Sequence, residues 1–182
     1  MLFFRIFAVA MSTETAHIKS QLSGRIGKPD VERLARTAEP ADLFALLYDA
    51  DSRTANNAAW VMTHLSNTAD PWLAAHQNDL VELAMATANV PLRRLTMNLL
   101  TRTEFAPDDV RTDFLDFCLD AMMSKDETYG VRALAMKLAA AQCIHYPELV
   151  AELRLRLNMM EPSMLPAGLR CCRKNTLKKL ET

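Results

Sequence analysis

The sequence predicts an all-α fold, a right-handed α-α superhelix of about four two-helix repeats. Three observations predict it. No segment alternates apolar and polar residues for long, and no Asn-Gly or Asp-Gly hairpin dipeptide occurs in the 182 residues. Only four residues are Gly, eleven are Met and half are hydrophobic, a balance that favours helix. The same helical pattern then returns at a nearly fixed interval. Asp42-Leu43 recurs 37 positions on at Asp79-Leu80, Ala58 maps to Leu95 at 37, Leu95 to Leu134 at 39, and Leu134 to Cys172 at 38. A two-helix unit of that period cannot bury its apolar stripe alone, so neighbouring units must stack.

The elements follow in order. "MLFFRIFAVA" is apolar except at Arg5 and is too short to cross a bilayer. Ala8-Val9-Ala10 resembles a signal-peptidase site, but the apolar core before it is short and lacks a basic start. We therefore expect residues 1–27 to be a leader, partly disordered, and 28–182 to be a single repeat domain. "KPDVERLARTAE", Lys28 to Glu39, is expected to be a capping helix. The first helices of the repeats show apolar faces at helical spacing: Leu43, Leu46, Leu47 and Ala50; Leu80, Leu83, Ala84 and Thr87; Phe114, Phe117, Cys118 and Ala121; Leu149, Leu153 and Leu157. Each is followed by a break and a second helix: "TANNAAWVMTHL", "PLRRLTMNLL", "YGVRALAMKLAAAQC" and "GLRCCRKNTLKKL". Pro91, Pro147, Pro162 and Pro166 fall where helices start or stop.

The repeat register aligns Arg93, Arg132 and Arg170 near the start of successive second helices, with Asn56 in that place in the first repeat. Such a row is either a structural ladder that pairs with carboxylates and helix-end carbonyls or a stripe of anion-binding residues on an open face. On the helix around it, Ala58, Val61, Met62 and Leu65 share one face, while Trp60 lies opposite beside His64 and Asn56. An exposed aromatic-polar patch of that kind would anchor a peptide or a base. Asn56, Trp60, His64, Arg93, Arg132 and Arg170 are thus the expected binding residues of a concave surface built from second helices.

Chemistry-bearing motifs are scarce. Cys118, Cys143, Cys171 and Cys172 form no CxxC pair, which predicts reduced thiols in a cytoplasmic protein. In the last helix Cys172 takes the inward register position. Cys171 faces outward beside Arg170, Lys174 and Lys178, which favours its thiolate and makes it the expected reactive thiol. His17, His64, His76 and His145 have no metal-ligand spacing, and no phosphate-cradling glycine loop occurs, so neither metal nor cofactor is expected. Asp113, Asp116 and Asp120 form a stripe that is expected to be a solvated face. Asp70 and Pro71 are expected to open a helix that Trp72 staples. A net charge of −1 gives no global pull toward nucleic acid or membrane.

The two-helix period and "NNAAWVMTHL" look like HEAT or armadillo-type repeats. More narrowly, "AAWVM", "YGVRALAM", "PELVAELRLRL" and "LKKL" resemble small bacterial HEAT-like proteins, over about Leu43 to Leu180. Some of that group carry an adenylosuccinate lyase label. The lyase superfamily's SSxMPxKxNP loop is echoed by "EPSMLPAGLR" only in Met and Pro. The resemblance carries architecture and no activity; the role expected of such a solenoid is a non-enzymatic interaction module that binds a protein or peptide on its concave face. A second reading is a DNA-binding protein like the HEAT-type alkylpurine DNA glycosylases, and a third, by label only, is a lyase. A continuous positive groove would favour nucleic acid, and a mixed, partly apolar one would favour protein.

Overall fold

A computed structural model describes residues 12–107 and 110–181. The apolar first ten residues of the expected leader lie outside that range. The described residues hold eleven α-helices and no strand. By packing, the described residues divide after Asn67 into two compact units.

The first unit holds α1 (Thr13–Leu22), α2 (Lys28–Thr37), α3 (Pro40–Ala45) and α4 (Ser52–Met62). Helix α1 lies within the stretch expected to be a partly disordered leader. Ile18 and Leu22 are buried against the unit, and polar contacts complete the fit. The Thr15 hydroxyl donates to Asp42, and Lys19 pairs with Asp49 at 2.6 Å. Helix α2 starts as expected and buries Val31 and Leu34. Helix α3 is shorter than its apolar face implies and passes into a 3-10 turn over Leu46–Tyr48. That turn buries Leu46 and Leu47, but Ala50 is left exposed. Helix α4 starts cleanly because Asp51 accepts from the main-chain N–H of Thr54 at 3.0 Å and from its hydroxyl at 2.6 Å.

The second unit holds α5 (Asp70–Ala75), α6 (Gln77–Ala86), α7 (Val90–Leu100), α8 (Thr112–Met123), α9 (Tyr129–Cys143), α10 (Pro147–Met159) and α11 (Ala167–Lys179). Three antiparallel-type pairs follow one another: α6 with α7, α8 with α9, α10 with α11. Helix α9 is the axis of the unit and packs on α7, α8, α10 and α11. Its small residues permit this, since Ala135 and Ala139 are fully buried and let neighbours approach on several sides. The register inferred from the repeat holds in the core: Ala58, Leu95 and Leu134 are buried, and Cys172 is half-buried.

At the start of the unit, Asp70 is the first residue of α5 rather than its cap; Ala69 precedes it in that role. The Asp70 carboxylate instead accepts from Arg102 Nε at 2.8 Å, past the end of α7. Trp72 stacks on His76 one turn later, with ring centroids 3.9 Å apart. The far end is only partly capped by charge. Helix α11 is basic on its outer side, but Leu155, Met159 and Met164 around α10 remain exposed.

Candidate functional site

The last carbonyls of an α-helix have no partner within it, and a cation there also meets the negative end of the helix dipole. The arginine row uses this. Arg93 Nε donates to the Ala84 carbonyl of α6 at 3.3 Å, and its Nη2 donates to the Thr87 carbonyl at 2.6 Å. The same guanidinium pairs with Glu127 and lies 5.8 Å from the centre of the Phe117 ring. Arg132 Nε donates to the Met122 carbonyl of α8 at 3.1 Å. Both arginines are half-buried and engaged at helix ends. The ladder geometry describes them, with one change: each main-chain tie stays inside its own helix pair.

In the last pair the tie has moved. Arg170 is exposed, whereas Arg173, one turn later, donates to the Leu157 carbonyl of α10 at 2.6 Å. Seven residues separate α10 from α11, against three between α6 and α7. The longer link shifts which turn of the second helix faces the end of the first.

A groove lies on another part of this unit. Helices α7, α9 and α11 run beside one another and leave a groove of about 290 Å³. Its floor is aliphatic, from Leu100 of α7 and Leu138, Ala140 and Ala141 of α9. Polar groups flank it: Thr101, Lys137, Asn175 and Lys179. Cys172 sits at the side, and its Sγ–H donates to the Ala133 carbonyl at 3.3 Å, which ties α11 to α9. Burial pushes the Cys172 thiol up, against the opposite pull of Thr176 and Lys137. Thr103, also on the groove, is fixed by the Gln77 amide at 2.7 Å. Sequence reasoning did not name this groove. A signal was present: Asn98, Lys137 and Asn175 occupy one register position, three residues after the inward Leu95, Leu134 and Cys172.

In the first unit the expected patch partly assembles. Trp60 is half-buried and meets the exposed His64 edge-on, with ring centroids 6.2 Å apart. His64 Nδ1 lies 3.0 Å from the Trp60 carbonyl oxygen. Asn56 is half-buried one turn earlier, and its buried Oδ1 has no hydrogen-bond partner.

The remaining candidates are simpler. Cys171 is exposed and its sulfur accepts from the Asn175 amide at 3.6 Å. On α8, Asp116 stays exposed. Asp113 is gripped by Arg111, which also reaches Glu82 and Asn78 and so laces α8 to α6. That guanidinium holds the Asp113 carboxyl below the usual carboxylate range. No cluster of metal-ligating side chains occurs among the described residues. No helix among them is long and apolar enough to cross a membrane. The model of the HEAT repeat domain family matches residues 18–180. No curated protein and no solved structure matches the chain.

Proposed function

We propose that this chain, which belongs to the HEAT repeat domain family, works as a non-enzymatic scaffold that holds a protein segment in the groove across α7, α9 and α11. The observation that carries this reading is the groove's make-up. An aliphatic floor with a polar rim suits a peptide that buries one or two apolar side chains and keeps its main chain wet. None of the groove-lining residues is aromatic, so nucleotide bases would have no stacking platform there. The Trp60 and His64 patch, with Asn56, is a separate contact surface on the first unit. The four free thiols support a reducing compartment such as the cytoplasm.

Site-specific photocrosslinking tests the groove. A photoreactive phenylalanine at Ala141 should give discrete protein adducts in cells, while the same group at Asp116 on the outer face of α8 should not. Adducts at Asp116 with none at Ala141 would reverse the assignment.

A further inference from the structure

Charge is sorted by helix over five helices of the second unit, while α10 carries two Glu and two Arg. Helices α7, α9 and α11 carry nine Lys and Arg residues and no Asp or Glu. Helices α6 and α8 carry five Asp and Glu residues and no Lys or Arg. Three of the nine cations, Arg93, Arg132 and Arg173, are engaged at helix ends. The other six, Arg94, Lys137, Arg170, Lys174, Lys178 and Lys179, are exposed.

Two positions carry this sorting to the groove. Lys137 and Lys179 line it, and no carboxylate does. Arg94 reaches across to the start of α9, where a Cβ on Gly130 would come 2.8 Å from Arg94 Cδ. Glycine there leaves room for the arginine chain to lie along the second-helix side.

From this we infer that the groove selects an acidic protein segment, one with Asp or Glu residues flanking an aliphatic side chain. This rests on the groove reading above and adds the class of partner. The aliphatic side chain enters between Leu100, Leu138 and Ala141, and a flanking carboxylate meets Lys137. The attraction is local. Over the whole chain 21 Lys and Arg meet 22 Asp and Glu, so little net charge acts at long range, and screening confines each patch to about 10 Å at moderate salt. Polyanions are therefore not gathered by overall charge, whereas a short acidic segment already seated in the groove gains from every nearby cation.

Panning a random-peptide display library against the full chain tests the inference. The selected peptides should be rich in Asp and Glu around Leu, Ile or Val. Lys137→Glu should weaken them about tenfold or more, because it replaces one attractive rim contact with a repulsive one. Lys137→Arg should retain them, and high salt should weaken them. Ala141→Trp, which fills the groove without adding charge, should abolish binding while circular dichroism stays helical. If Ala141→Trp disturbs the helices, Lys137→Glu alone decides. Neutral or basic peptides that still depend on Ala141 would overturn the acidic class and leave the groove reading standing. Peptides indifferent to both substitutions would overturn the two together. A single-stranded oligonucleotide that displaces the selected peptides, and loses that ability in Lys137→Glu, would also overturn the inference by transferring the groove to nucleic acid.

Discussion

The two units secure the open end of a helix with different side chains. In the second unit Arg93 and Arg132 reach back from the second helix of a pair to the last carbonyls of the first, and Arg93 adds an ion pair. In the first unit the neighbouring register position supplies Asn57. Its Nδ2 donates to the Leu22 carbonyl at 2.7 Å and to the Gly24 carbonyl at 3.0 Å, both at the end of α1 rather than of α3. An amide is short and neutral, so it works only where the helix end already lies against α4. A guanidinium is long and charged, and it brings a dipole interaction that an amide lacks. The same need, an orphaned carbonyl, is met by whichever side chain spans the gap.

The sharpest way to break this comparison is to remove both kinds of tie and follow urea unfolding by tryptophan fluorescence, with Trp60 reporting on the first unit and Trp72 on the second. Arg93→Ala should cost about 3 kcal/mol at Trp72, because it strands two carbonyls and the Glu127 carboxylate together. Asn57→Ala should cost about 1 kcal/mol and appear at Trp60, the usual size for a neutral hydrogen bond. Equal losses would mean that charge adds nothing to the tie.

A pH series separates the units by a second route. Both buried thiols, Cys118 and Cys143, belong to the second unit; burial raises them, and Cys143 is pushed up to about 11. A thiol raised in the folded state stays protonated while the unfolded chain ionises. The second unit should therefore lose about 2 kcal/mol through Cys143 as pH climbs from the ordinary thiol range toward 11, with a further loss through Cys118, and Cys143→Ala should remove the first share only. A first unit that weakens equally would refute the assignment to these thiols.

Within the second unit, Arg173→Ala should cost about 1.5 kcal/mol, whereas Arg170→Ala should stay within about 0.5 kcal/mol. The reverse order would restore Arg170 to the ladder. The smallest contrast lies between adjacent residues of α11. A limiting thiol reagent on the native protein should modify Cys171 several-fold faster than Cys172, whose thiol is half-buried and held at Ala133. Earlier modification of Cys172 would contradict the inward placement.

Much of the fold was legible because its signals are local. Helix α9 runs over Tyr129–Cys143 as the sequence implied, since Thr128 caps its start and an unbroken apolar pattern fills it. Helix α1 was not legible. "TETAHIKSQL" has a weak apolar face, and it docks through Thr15 and Lys19 onto Asp42 and Asp49, partners about thirty residues away that no local pattern announces. The arginine row was visible as a register, but its geometry was not. The sequence aligned Arg170 with Arg93, while the longer link before α11 gave the contact to Arg173. The groove depends on the spacing between three helices, which no single stretch encodes; only the polar column Asn98, Lys137 and Asn175 hinted at it.

The main-chain tie within each pair of the second unit also bears on how such a chain can change in length. Copying or deleting α6 with α7, or α8 with α9, carries the arginine and the carbonyl it serves together, so the event leaves no unmet main-chain acceptor behind. In the first unit α4 depends on α1 through Asn57, and the two can be inherited only as a set. Gain and loss of repeats should therefore concentrate in the second unit, with the first acting as a fixed starting block.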